Sequence, residues 1–212
     1  EVGARPGRGW SREELDGIRE ATRLELRELA PLQYELLQAM RQVLEEDAIL
    51  VAGVTNLGYW GALGWPVERP RTWLTSGYFA TLGYELPTAL GAQLGNPGRQ
   101  VVALVGDGGF LYNTQELATA VANDLPVVAV VFVDNAFGAS LNDQRRRFGG
   151  RVIGTELRNP DFARLAEAYG AQGVKVSGPA PREVAAALRE ALRSRRPTVI
   201  EVPIPTLTPP FQ

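Results

Sequence analysis

Apolar positions along the first fifty residues recur at helical spacing. Leu15, Ile18, Thr22, Leu26 and Leu29 share one face, and Ser11 followed by Glu14 has capping-box spacing, which predicts a helix opening at Ser11. Pro31 restarts the pattern, and Leu36, Met40 and Val43 carry it to about Glu46. The pair reads as two amphipathic helices packed on a core. After Glu46 the rhythm changes to strand, loop, helix, repeated. Ala48–Val54 is a buried strand and Tyr84–Gly95 a helix rich in small residues. Gln100–Gly106 is the next strand, and Asn113–Asp124 a helix with Asn113 and Glu116 in capping-box register. Pro126–Val133 is apolar throughout, as expected at the centre of a parallel sheet. Asn159-Pro160 opens a helix with Phe162, Leu165, Ala166 and Tyr169 inward and Gly170 at its end. The strand "GVKV", a helix over Pro181–Arg193 and the strand "PTVIEVPI" finish the alternation before a proline-rich tail. The predicted fold is α/β, an open parallel sheet with helices on both faces, preceded by an N-terminal helical segment.

Composition mainly removes options. A chain of 212 residues with 45% apolar and 22% charged residues can bury a real core as one large domain. A net charge of −2 without a basic cluster argues against nucleic acid as partner. No apolar run approaches a membrane span and no secretory signal is present, so a cytoplasmic protein without membrane attachment is expected. Without cysteine or histidine there is no disulfide, no thiolate and no imidazole base. Catalysis would need carboxylates, backbone groups, a metal or an organic cofactor. The chain begins at Glu1 rather than methionine, with a flexible lead-in to Trp10 expected, and reads as one domain of a longer protein or a processed piece.

Two acids end successive strands: Asp107 in Gly106-Asp107-Gly108-Gly109, and Asp134 in Asp134-Asn135. Ligands of open α/β sheets bind beyond the carboxyl ends of the strands. If the two strands are neighbours, their ends lie about 5–10 Å apart. A Gly-Asp-Gly-Gly turn alone is often only a turn. The pair supplies hard oxygen ligands suited to magnesium or calcium, and magnesium commonly adds substrate phosphate oxygens to one or two carboxylates. The bare backbone amides of Gly108 and Gly109 can then approach a phosphate. Other phosphate motifs fail. A dinucleotide fingerprint needs glycine at position 111, where leucine stands, and no Walker Gly-Lys-Ser/Thr exists because Lys175 is the sole lysine.

"GDGGFLYNTQELATAVANDLPVV" followed by "DNAFG" resembles the thiamine diphosphate signature of the acetolactate synthase and pyruvate decarboxylase superfamily: Gly-Asp-Gly, an intervening helix and strand, then a pair usually written Asn-Asn. Upstream, "TSGYFATLGYELPTALGAQLG" resembles the family's small-residue segment, and "RFGGRVIGTELRNPDFARLAEAYGA" the stretch after its metal site. The resemblance implies a domain over residues 31–203, with a lead-in and linker helix at 1–30 and the tail at 204–212. It makes Asp107 the first Mg2+ ligand, within Gly106 and Gly108. Asp134 stands at the family's usual distance and is taken as the second, with the Ala136 carbonyl third; Asn135 is the alternative to Asp134. Phe137 and Gly138 complete the cofactor-binding turn. Leu82 matches the bulky residue beneath the thiazolium, although it also suits an ordinary core, and the Ala80 carbonyl matches the acceptor for the cofactor's 4′-amino group. Thr55, Asn56 and Gly58 stand where relatives hold outer diphosphate oxygens.

In this family the cofactor carries the chemistry on a 2-keto acid, and a glutamate on a separate pyrimidine-binding domain activates it, usually across a dimer interface. No segment here resembles that domain. The resemblance therefore implies half of each active site in a homodimeric or tetrameric decarboxylase or carboligase, and inactivity of the chain alone. The alternative is a non-catalytic binding or assembly module that keeps the fold.

Overall fold

The computed structural model describes residues 9–211. Most of the expected lead-in, residues 1–8, lies outside the described residues. The order is α1 (Arg12–Leu29), α2 (Pro31–Arg41), β1 (Ile49–Ala52), α3 (Asn56–Gly64), β2 (Trp73–Thr75), α4 (Glu85–Gly95), β3 (Val101–Gly106) and α5 (Asp107–Phe110). It continues with α6 (Glu116–Ala122), β4 (Val128–Val133), α7 (Gly138–Arg147), α8 (Phe162–Ala168), β5 (Gln172–Lys175), α9 (Pro181–Ser194) and β6 (Thr198–Pro203). Among the described residues six strands form one wholly parallel sheet in the order β2-β1-β3-β4-β6-β5.

Strand alternation divides the core between two faces. Leu50, Leu104, Val130 and Ile200 point to one side, where Leu36 and Met40 of α2 and Leu188 of α9 cover them. Val51, Ala103, Val131 and Val199 point to the other, against Leu90 of α4, Leu117 of α6 and Phe162 of α8. Both faces of β3 and β4 are thus buried, which explains their unbroken apolar runs.

The Ser11–Glu14 capping box forms, with Glu14 N–H 3.1 Å from Ser11 Oγ and Ser11 N–H 2.8 Å from Glu14 Oε2. The face of α1 does not pack as its periodicity suggests. Leu26 is buried, sitting where Gly64 has no side chain, whereas Leu15, Ile18 and Leu29 are exposed. Two other helix starts also differ. The N-cap of α6 is Gln115, because the Asn113 side chain donates instead to the Gly83 carbonyl at 2.6 Å. Helix α8 begins at Phe162, capped by Asp161, which accepts from Arg164 N–H at 2.9 Å; Pro160 precedes the first turn. Gly170 ends that region with φ +87°, a left-handed position that suits glycine.

Candidate cofactor site

Strand β1 lies between β2 and β3, so the β1–β2 connection and the β2–β3 connection run in opposite directions along the sheet and a crevice opens at the carboxyl end of β1. Four segments meet there: Gly53–Thr55 after β1, residues 76–83 before α4, Gly106–Gly109 after β3, and Asp134–Gly138 after β4. They enclose a cleft of about 300 Å3. Thr55, Asn56, Ala80, Leu82, Gly106, Asp107, Gly108, Gly109, Asp134, Ala136, Phe137 and Gly138 all line it. Gly58 does not line it. A Cβ there would run into the Gly53 carbonyl, so its bareness lets α3 pack against the end of β1.

Asp107 is almost fully buried, yet three donors reach its carboxylate. Oδ1 accepts from Gly108 N–H at 2.8 Å; Oδ2 accepts from Asn135 N–H at 2.8 Å and from Asn159 Nδ2 at 2.7 Å. Burial raises its pKa, and these bonds oppose the rise. Asp134 accepts from Ala136 N–H at 3.3 Å and has the Thr206 side chain beside it, next to Gly138. Burial, and next the charge of Asp107, push it up to about 6. Two carboxylates therefore face one cleft and repel each other. Among the described residues no third acid, histidine or cysteine joins them. A cation there would rely on these two acids and on backbone and ligand oxygens, a hard set suited to Mg2+ or Ca2+.

Asn135 is held differently. Its φ of +57° is left-handed, a conformation asparagine tolerates better than most residues, and its side-chain Oδ1 accepts from Asn159 Nδ2 at 3.0 Å. Backbone geometry thus accounts for an asparagine after Asp134. The turn is pinned from outside by Phe137 N–H to the Thr155 carbonyl and by Leu157 N–H to the Asn135 carbonyl, both 2.8 Å.

Glycine is also needed for space in the two turns that carry the acids. A Cβ on Gly108 would come 2.6 Å from the Phe137 ring, and one on Gly138 2.5 Å from Asp134 Oδ2. Ala80 is left-handed too, with φ +45°, which fixes the direction of its carbonyl at the mouth of the cleft.

Several lining or supporting groups escape the motif reading. Tyr59, Ala139, Ser140, Ile204 and Leu207 also line the cleft. Asn56 Nδ2 and Asn142 Nδ2 both donate to the Leu207 carbonyl, at 3.0 and 2.9 Å, and Trp60 Nε1 donates to the Thr208 carbonyl at 3.0 Å. The proline-rich tail is therefore bound across α3 and α7, beside the acids. Asn56 is occupied by that tail and by Gln33 Nε2 at 3.2 Å. Glu85 is a buried carboxyl beneath the cleft. It accepts from Val54 N–H at 3.2 Å and fills the space over Gly53, and burial raises its pKa. An asparagine before a helix and a threonine in a tail carry no local signal that they reach Asp107 and Asp134.

Parallel strands, a crevice at the reversal of strand order and two acids at its rim define an α/β cofactor-binding domain. Residues 53–202 match the family model described as "Thiamine pyrophosphate enzyme, C-terminal TPP binding domain". The chain belongs to that family. It is 34% identical over 160 residues to a probable acetolactate synthase large subunit of Methanocaldococcus jannaschii, covering 75% of this chain and 27% of that one. It is 41% identical over 145 residues to a probable 2-ketoarginine decarboxylase of Pseudomonas aeruginosa, covering 66% of this chain and 26% of the relative. Among solved structures, a thiamine diphosphate-dependent 4-hydroxybenzoylformate decarboxylase of Rhodococcus jostii RHA1 superposes with a TM-score of 0.73 at 30% identity, over 82% of this chain and 32% of that one. The chain thus spans about a quarter to a third of the length of these relatives. No helix among the described residues is long and apolar enough to cross a membrane.

Proposed function

We propose that the chain is the diphosphate- and magnesium-binding half of a thiamine diphosphate-dependent decarboxylase or carboligase acting on a 2-keto acid. The observation that carries the reading is the convergence of Asp107 and Asp134 on one cleft floored by bare glycines. Asp107, Asp134 and the Ala136 carbonyl would hold Mg2+, whose charge offsets the repulsion that raises the Asp134 pKa. Asn135 is the weaker candidate because its N–H serves Asp107 and its side-chain oxygen serves Asn159. The backbone N–H of Gly109, and those opening α7 at Gly138 and Ala139, would receive phosphate oxygens, while the Gly108 N–H is given to Asp107 and bare Gly108 leaves room for the phosphate; α7 is long enough to add its dipole.

Half-buried Leu82 would support the thiazolium face, and the Ala80 carbonyl would accept from the 4′-amino group. Thiamine diphosphate, when bound, supplies the electron sink for cleaving or forming the bond next to the keto carbon. The residues described here bind, orient and shield it. None is placed to protonate the aminopyrimidine, so a glutamate from a pyrimidine-binding domain or subunit completes the site in this reading. Tyr78 and Phe79, almost fully exposed beside Ala80, suit such a contact. Homodimeric or tetrameric assembly in the cytoplasm accords with this proposal.

Calorimetric titration with thiamine diphosphate and Mg2+ tests it. Saturable heat, lost in Asp107→Ala, is the expected result; absence of heat would overturn the cofactor reading. Decarboxylation of 2-keto acids by the chain alone would overturn the half-site reading.

A further inference from the structure

Asp107 and the segment after α7 are joined by one side chain. Asn159 Nδ2 donates to Asp107 Oδ2 at 2.7 Å and to Asn135 Oδ1 at 3.0 Å, while its own Oδ1 is buried without a partner. That orientation is the only sensible one, because the flipped amide would set its oxygen against two acceptor oxygens. Asn159 is also held firmly at both sides. Upstream, residues 155–157 pair with the turn 135–137 through the Phe137–Thr155 and Leu157–Asn135 bonds. Downstream, Asp161 caps α8, and buried Glu201 of β6 accepts from Phe162 N–H at 2.7 Å and Ala163 N–H at 3.2 Å. Lys175 then bridges Glu201 at 2.6 Å and Asp161 at 3.2 Å.

We infer that Asn159 is a positioning residue that presents Asp107 to the metal through Oδ1 alone and keeps Asn135 turned away from it. This role rests on the magnesium–diphosphate reading above. A carboxylate oxygen has two good acceptor directions. On Oδ2 both are occupied, by Asn135 N–H and Asn159 Nδ2–H. On Oδ1 only Gly108 N–H is present, leaving one direction open. Asp107 is thereby a one-oxygen ligand. That arrangement suits Mg2+, which demands near-ideal octahedral geometry, better than Ca2+, which accepts two-oxygen carboxylates and a larger, looser shell. Asn159 therefore contributes to ion choice as well as affinity. Its removal frees Oδ2, and it also frees the Asn135 side chain.

The test uses the intact protein and thiamine diphosphate titrated at graded Mg2+ or Ca2+, read by calorimetry, with circular dichroism as the check on folding. Asn159→Ala is expected to weaken Mg2+-dependent binding by about tenfold and Ca2+-dependent binding by less, so the preference for Mg2+ narrows. Asn159→Leu keeps the size of the side chain without its hydrogen bonds and should give the same shift, which covers the case in which the alanine variant does not fold. A purely structural asparagine would lower the melting temperature yet leave the Mg2+ to Ca2+ ratio as in wild type, and that result would overturn the role. If the wild-type protein binds thiamine diphosphate with neither ion, the cofactor reading itself falls, and this role with it. Normal wild-type binding beside an unchanged variant ratio removes the Asn159 role alone.

Discussion

The backbone N–H of Asn135 donates to Oδ2 of Asp107 across 2.8 Å, tying the end of β4 to the end of β3. Neighbouring parallel strands make that approach possible, with Gly106 level with Phe132 in the register. The bond fixes which way the Asp134-Asn135 pair faces: Asp134 lines the cleft, and Asn135 is turned to Asp107 and Asn159.

Asn135→Ala should therefore spare the metal. It places alanine in a left-handed conformation, at a cost of about 1 kcal/mol in stability, and leaves Asp134 in place. Thiamine diphosphate binding with Mg2+ should stay within a few-fold of wild type, whereas Asp134→Ala should abolish it. Calorimetry on the two variants checks this, and the reverse order would make Asn135 the ligand.

Gly138→Ala probes the same turn from its other side. A methyl group 2.5 Å from Asp134 Oδ2 must push a short carboxylate aside, since Ala136 N–H holds it and Thr206 crowds the same space. We expect Mg2+-dependent cofactor affinity to fall by about tenfold with only a small loss of thermal stability, as for displaced groups around a metal. Titration and a melting curve on the same preparation separate the two effects.

The sheet and its order of elements could be read from the chain because β1, β3 and β4 are apolar on both faces, β6 is mostly apolar, and the helices between them are periodic. Four elements escaped that reading: the single helical turn α5 reads as the Gly-Asp-Gly-Gly turn, and the other three are hidden each for a physical reason. Helix α3 contains Gly58, Gly61 and Gly64, which lower helix propensity but permit close packing, as where Gly61 faces the Trp73 ring. Strand β2 is three residues long at the sheet edge. Helix α7 buries only Leu141 and so shows no apolar stripe. In the cleft, Asp107 and Asp134 were visible because each follows a strand. Asn159 and Thr206 were not, because long-range pairing leaves no local pattern.

Acid should affect the metal-free and metal-bound forms in opposite directions. The folded pKa of Asp134, about 6, lies above its ordinary value of 3.8. Between those values the folded state binds more protons than the unfolded state, so stability is highest at the acidic end and declines as pH rises through about 6. Melting temperature measured with a chelator should show that decline, and Asp134→Asn should flatten it. With Mg2+ and thiamine diphosphate, binding requires ionised Asp134, so affinity should rise with pH over the same window. A chelated protein whose stability rises from pH 4.5 to 6.5 in step with Asp134 ionisation would contradict the assignment.

Glu85 offers a prediction independent of any ligand. Its carboxyl is 1% exposed, Oε1 accepts from Val54 N–H, and Oε2 has no hydrogen-bond partner. Burial raises the pKa above the usual glutamate value, so its ionisation opposes folding, and stability from this group is lost as pH rises. Glu85→Gln keeps an acceptor for Val54 and the volume over Gly53 while removing the charge. At pH 8 it should stabilise the fold by about 1 kcal/mol, because the buried charge is removed while the amide N–H2 inherits the unpartnered place of Oε2. The gain should shrink at pH 5, where the native carboxyl is more protonated. Urea unfolding of both proteins at the two pH values measures it. Equal stabilities at pH 8 and pH 5 would show that Glu85 is paired more fully than its hydrogen bonds indicate.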